Sequence, residues 1–178
     1  MTETPPPTPA AVLVPLFRDD EGELRLVLVV RGALGRHGRQ LSLPGGKRES
    51  GDASLLETAL RETEEEIGLT REEVEVIAGL PPIDTHTTGF RVHPYLARIR
   101  RPESWRLAQG EITAVITPRV RTLADPSLRR ERLLSFTSWP EPRRVQCVEL
   151  EDGYLLWGLT LRLLDPLLPQ LRDGDIAL

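Results

Sequence analysis

Three glutamates, Glu62, Glu65 and Glu66, stand at i, i+3 and i+4 in the run Arg61-Glu62-Thr63-Glu64-Glu65-Glu66-Ile67. On a helix turning about 100° per residue they share an arc of roughly 100° within one turn. Leu56, Leu60 and Ile67 gather on a separate apolar stripe, which is suited to packing on a sheet. Like charges so placed oppose one another by ~0.2–0.5 kcal/mol per pair on a solvated helix, and by more when partly buried. A divalent cation reverses that sign. Oxygen-only ligands suit Mg²⁺ or Mn²⁺, which share their coordination with waters and a substrate's phosphates. Upstream, Gly45-Gly46 lets the backbone approach closely, so that a carbonyl or amide there meets the metal or a phosphate. Arg61 lies off the centre of the acidic arc, placed to pair with a neighbouring carboxylate and hold its rotamer. The competing reading is an ordinary Arg/Glu-rich surface helix with a Glu57–Arg61 pair. The Gly-Gly turn, the helix start and the tight arc together weigh against it.

The elements that position these residues follow from the hydrophobic pattern. Ala11–Phe17 reads as a strand, and Asp19–Gly22 as a turn. Leu24–Val30 reads as a second strand buried on both faces and paired with the first in a hairpin. A loop rich in Gly, Arg and His leads to Pro44-Gly45-Gly46. The acidic helix is expected over Ala53–Ile67, with Asp52 as N-cap and Gly68 as stop. Val74–Leu80, Val92–Ile99, Ile112–Ile116 and Val145–Leu150 are further strands. Tyr154–Leu168 has helical spacing and should close the domain, and a short helix is expected around Leu128–Leu134. Strands before, between and after two helices imply an α/β (α+β) fold with a mixed sheet covered on both faces.

Composition bounds the rest. The chain has 178 residues, 39% hydrophobic and 28% charged, a size and balance that suit one globular domain. Residues 1–9, rich in Pro and Thr, are expected to be a disordered tail before a single domain over 10–178. No apolar run reaches the ~18 residues of a membrane span, and Met1–Pro7 has neither the basic nor the apolar part of a signal peptide. The one cysteine, Cys147, builds no intrachain disulfide, which fits a reducing cytoplasm. It lies in an apolar strand without an evident base and reads as a packing residue. A net charge of −4 argues against a nucleic-acid partner, because phosphate-backbone binding wants a basic surface. Of 23 basic residues only Lys47 is a lysine, a skew that looks like base composition. His86 and His93 have neither the spacing nor the partners of a zinc site.

The segment from Gly45 to Leu69 resembles the Nudix box, G-x5-E-x7-R-E-U-x-E-E-x-G-U, where U is apolar. Arg61-Glu62 through Gly68-Leu69 match its second half, with Thr63 at the apolar position. Between Gly46 and Arg61 there is one residue more than the box allows, and Asp52 stands where a Glu is usual. That longer spacing is similar to the coenzyme A diphosphatase branch, whose box runs P-G-G-x-x-D-x-x-D and then T-A-L-R-E-x-x-E-E. Thr88–Tyr95 is similar to the branch's S-G-x-x-V-x-P strand. Tyr154–Arg162 resembles its W-G-x-T-A-R segment, with Trp157 read as an anchor for the final helix. The branch's upstream motif is kept at Arg31 and His37, but Gly35, Arg39 and Leu43 depart from it. That departure bears on the substrate more than on the reaction.

The resemblance implies a Nudix-type α/β/α sandwich and metal-dependent hydrolysis of a nucleoside diphosphate linked to a second moiety. On the branch reading this is coenzyme A or a derivative, giving 3′,5′-ADP and 4′-phosphopantetheine. ADP-ribose, NADH or a dinucleoside polyphosphate is the alternative substrate, and a non-catalytic ligand-binding module is the third reading. By family analogy Glu62, Glu65 and Glu66, with the Gly46 carbonyl, hold Mg²⁺ or Mn²⁺, and Arg61 supports them. Glu111, opening a strand after Gly110, is the outside candidate for general base, with a solvated strand-edge glutamate as the competing view. Arg31, His37, Gly45, Gly46 and Lys47 are the candidate substrate contacts. Lys47 and Arg48 either steady phosphate oxygens or are solvated loop charges. The arginine-rich insert from Arg121 to Arg144 either reaches towards a 3′-phosphate or, as the stronger reading, is a solvated loop. The expected partner is a small-molecule nucleotide, with no nucleic acid and no membrane. A homodimer is in keeping with the family.

Overall fold

Strand β1 (Thr8–Arg18) runs through the interior. Alternate residues of a strand face opposite ways, and here both ways lead to buried apolar surface. Ala10, Val14 and Leu16 enter one core cluster, and Leu13 and Phe17 enter a second. The computed structural model describes residues 6–32, 40–85, 89–135, 139–150 and 153–176. After β1 come β2 (Leu24–Leu26), β3 (Leu28–Arg31), β4 (Leu41–Ser42), β5 (Gly45–Lys47) and the helix α1 (Leu55–Ile67). Then follow β6 (Val74–Gly79), β7 (Ile83–Asp84), β8 (Phe90–Ile99), β9 (Ile112–Ile116) and α2 (Val120–Leu123). The chain continues through β10 (Arg129–Leu134), β11 (Arg143–Glu149), β12 (Leu155–Trp157), α3 (Gly158–Leu164) and α4 (Leu168–Asp173).

The largest sheet has the order β2-β1-β8-β6, with β5 also on β1 and β7 also on β8. It is mixed, because β1 and β8 run parallel while the other pairs are antiparallel. Two smaller sheets, β4-β3-β9 and β10-β11-β12, complete the strands. Helix α1 covers one face through Leu60 and Ile67, and α3 and α4 cover the other through Leu161, Leu164 and Leu168. The expected sandwich with a mixed sheet between helices is therefore the architecture found. No helix among the described residues is long and apolar enough to cross a membrane.

Several expectations are corrected. The second strand divides into β2 and β3. Val27 donates its N–H to the Pro15 carbonyl at 2.9 Å, but Pro15 has no N–H to return, so the ladder with β1 stops there. β3 then pairs with β4 and β9 instead, while its apolar side chains Leu28, Val29 and Val30 stay buried on both faces. The segment expected as a tail is strand at its inner end, since Thr8 and Pro9 lie in register with Phe90 and Arg91. The N-cap of α1 is Ser54, which accepts from the Glu57 N–H at 3.2 Å, and not Asp52, whose carboxylate is engaged elsewhere. In place of the short helix expected around Leu128–Leu134, a 3₁₀ turn ending at Leu128 leads into strand Arg129–Leu134, held by six cross-strand pairs with β11. Tyr154–Leu168 is not one helix. Gly158 at φ 66° turns the chain out of β12 into α3, and Pro166 withholds the N–H that a continuous helix needs.

Candidate active site

Helix α1 presents its acidic turn to β5. Leu60 and Ile67 pin its inner face, and Gly68 ends it in the left-handed conformation with its N–H on the Glu64 carbonyl at 2.9 Å. Thr63, at the position where the family pattern is apolar, is fully buried and donates its hydroxyl to the Ala59 carbonyl at 2.6 Å. That internal bond satisfies the hydroxyl, so the substitution fits an apolar site.

Arg61 is the hub. Its Nε and Nη2 donate to the two oxygens of Asp52 at 2.9 and 3.1 Å. The same guanidinium reaches Glu62 at 3.1 Å, Glu65 at 3.0 Å and the Lys47 carbonyl at 3.2 Å. Asp52 also accepts from the Thr58 hydroxyl at 2.8 Å and the Glu49 N–H at 2.9 Å. Arg61 and these donors hold the Asp52 carboxyl well below the usual carboxylate range. The Glu57–Arg61 pair that the competing surface-helix reading calls for is not made; Glu57 pairs with Arg71.

Glu66 is the buried member of the cluster, its side chain 3% exposed. It accepts from the Gly45 N–H at 3.1 Å, and the Arg31 guanidinium lies 3.5 Å away. Burial pushes its pKa up to about 7, against the pull of Arg31 and Gly45, and the charges of Glu62 and Glu111 push the same way as burial. Burial also raises Glu62, against Arg61. Gly46 faces Glu62 so closely that a Cβ there would stand 2.5 Å from the carboxyl. No side chain fits between strand and carboxylate, and this explains the glycine better than backbone freedom does.

The sequence candidates are therefore mostly brought together: Arg31, Gly45, Gly46, Arg61, Glu62, Glu65 and Glu66 share one neighbourhood, and Glu111 is near enough to act on Glu66. Glu65 is 58% exposed and turned towards Arg61. Among the described residues no three His, Cys, Asp or Glu side chains converge on a single point. Lys47 does not face the carboxylates. Its Nζ lies 5.3 Å from the Phe90 ring centroid, and Phe90 packs on the core opposite α1. His37 and His86 lie outside the described residues. Sequence reasoning missed Thr58 as a partner of Asp52, and it missed the loop at Arg106–Ala108 that holds the end of α1. Nothing in the spacing of those residues marks them.

Comparison with known proteins identifies the family. A family model described as NUDIX domain matches residues 7–139. The Nudix hydrolase NudL of Salmonella paratyphi B, described as uncharacterized, is 36% identical over 164 residues, covering 91% of this chain and 82% of that protein. The chain belongs to the Nudix hydrolase family, and its expected class of enzyme, a Nudix pyrophosphohydrolase, stands with it. Among solved structures, the Nudix hydrolase RenU of M. smegmatis matches with TM-score 0.65 at 15% identity, over 98% of this chain and 91% of that one. The NUDIX domain of Shewanella oneidensis NrtR, complexed with ADP ribose, matches with TM-score 0.51 at 16% identity, over 66% and 76%. At those identities the likeness concerns the fold alone.

Proposed function

We propose that this Nudix hydrolase splits the diphosphate of coenzyme A or its derivatives, giving 3′,5′-ADP and 4′-phosphopantetheine or its acylated form. The observation that carries the reading is the clasp between Asp52 and Arg61. The chain is one residue longer here than the general box, yet Asp52 meets the guanidinium with both oxygens. That clasp supports reading the long spacing as a variant of the motif similar to that of the coenzyme A branch rather than as its decay.

Nudix hydrolases generally use divalent metal ions. The donor chemistry suits such ions: it is all oxygen and its members repel one another. Among the described residues no three of the side chains converge on one point without an ion to draw them together. Glu62, Glu65 and Glu66, with the Gly46 carbonyl, would hold Mg²⁺ or Mn²⁺. When bound, these ions neutralise the diphosphate and acidify water. The chain's own part is positioning. Arg61 restrains Glu62 and Glu65, the Gly45 N–H and Arg31 orient Glu66, and Glu111 takes the proton of the attacking water. Arg31 and His37 contact the substrate, and Lys47 must leave the Phe90 ring to reach a phosphate. The enzyme is proposed to work in the cytoplasm as a homodimer on a small nucleotide, without nucleic acid or membrane.

A second reading, hydrolysis of ADP-ribose, NADH or another linked nucleoside diphosphate, is favoured by the departures at Gly35, Arg39 and Leu43. Of these, Leu43 is a core side chain, 3% exposed, and offers nothing to a ligand. A substrate panel with Mg²⁺ and Mn²⁺ separates the readings. Coenzyme A is expected to be cleaved fastest, and cleavage no faster than that of ADP-ribose would favour the second reading. Turnover of none of them would leave the third, a ligand-binding module without catalysis.

A further inference from the structure

The segment Trp105–Ile112 crosses the C-terminal end of α1 and finishes at β9. The last carbonyls of a helix have no partner within it and must find one outside. Here the segment supplies them. The Ala108 N–H donates to the Glu66 carbonyl at 2.9 Å, and the Arg106 N–H to the Ile67 carbonyl at 3.1 Å. The Arg106 guanidinium reaches the Gly68 carbonyl at 3.3 Å. A Cβ on Gly68 would meet the Arg106 Cβ at 2.7 Å and its Nε at 2.9 Å, so the arginine stem lies flat against that glycine. Trp105 and Leu107, on either side, pack against the core cluster that contains Leu60 and Ile67.

The far end of the segment is tied just as closely. The N–H groups of Glu111 and Ile112 both point to the Ala108 carbonyl, at 3.2 and 3.1 Å. The Glu111 carbonyl accepts from Gly32 N–H at 2.6 Å, next to the Arg31 that faces Glu66. A Cβ on Gly32 would stand 2.8 Å from the Gly110 carbonyl, so the two backbones touch there. Ala108 thus carries both connections: its N–H grips the backbone of Glu66, and its carbonyl fixes the turn that presents Glu111.

From this we infer that Arg106 is a positioning residue, which sets the distance between Glu111 and Glu66 by clamping the segment to the end of α1. The inference rests on the role proposed above for Glu111. Misplacing a reacting group by about 1 Å costs up to about a hundredfold in rate, and loss of one of several tethers costs less. Arg106 is itself exposed, so its replacement leaves the core intact.

The test measures kcat and KM for Arg106→Ala, Arg106→Met, Arg106→Lys, Glu111→Gln and the double variant Arg106→Ala/Glu111→Gln. The substrate is whichever of coenzyme A and ADP-ribose the wild type hydrolyses faster in Mn²⁺. Arg106→Ala and Arg106→Met are expected to lower kcat by roughly three- to tenfold with KM nearly unchanged, and Arg106→Lys to restore most of it. In the Glu111→Gln background the same Arg106→Ala change is expected to have almost no further effect, because the group it positions is gone. A penalty that persists undiminished in that background, or a loss confined to KM, overturns the clamp and leaves the role of Glu111 standing. A Glu111→Gln variant as fast as the wild type overturns both, as does a wild type that turns over neither compound.

Discussion

Two of the regions in which arginine–carboxylate pairs gather differ in what surrounds them. Around α1 one guanidinium serves Asp52, Glu62, Glu65 and a backbone carbonyl, with the Arg61 side chain 25% exposed and Asp52 5%. Across β10 and β11 the pairs are single and wet. Arg144 and Glu131 are 76% and 45% exposed at 2.9 Å, and Arg132 meets Glu149 under similar conditions. Water screens the second kind, so each contributes at most about 1 kcal/mol. In the first kind each group limits the rotamers of the others, and partial burial amplifies any loss. The same residue types therefore make a positioning device in one place and a solvated surface in the other.

The contrast is most sharply tested at Glu66. Glu66→Gln is expected to lower kcat by on the order of a hundredfold or more, with no loss of melting temperature in metal-free buffer. Equal rates for variant and wild type would remove the site from the comparison. Next in size, Asp52→Asn should lower kcat by about tenfold and the melting temperature by several degrees, since Arg61 then loses its charged anchor and Glu62 and Glu65 their restraint. The stabilisation that Asp52 contributes is present above its ordinary pKa of 3.8 and is lost as pH falls through its depressed folded value.

A smaller effect separates metal from fold. Glu66 moves from an ordinary 4.5 to about 7 through burial. Between those values the unfolded chain has released a proton that the folded chain keeps, so stability falls as pH rises towards 7 and levels off above it. Differential scanning calorimetry of metal-free protein should show that decline in the wild type and not in Glu66→Gln. Millimolar Mg²⁺ or Mn²⁺ at about pH 8 should raise the melting temperature of the wild type more than that of the variant. The smallest change is expected on the wet side: Arg144→Ala should alter stability by under about 0.5 kcal/mol and leave the rate untouched. A larger loss there would erase the distinction between the two regions.

Much of the site was legible because it lies within one continuous stretch. Helical spacing alone places Glu62, Glu65 and Glu66 together and apart from the stripe of Leu60 and Ile67, and the double glycine announces a close approach. Asp52 was legible only in part, since an acidic residue ahead of a helix reads equally well as an N-cap. The choice fell to Ser54 because Arg61 and Thr58 draw Asp52 inward. The C-terminal pattern misled, because Leu-rich spacing around Tyr154–Leu168 suits a helix until Gly158 and Pro166 break it.

What the sequence by itself determined is whatever repeats at short range: the acidic arc, the apolar stripe, the glycine turn and the strands with two buried faces. These depend on neighbours within one turn or one pleat, and their chemistry is written locally. Tertiary structure alone decided that Pro15 would divide a strand between two sheets and that β10 would be a strand. It also decided that Lys47 would rest on Phe90, and that Ala108 would hold Glu66 and Glu111 in one backbone hydrogen-bond chain. Each depends on partners dozens of residues away or on a ladder bond that a distant strand offers or withholds, and no local pattern encodes that choice.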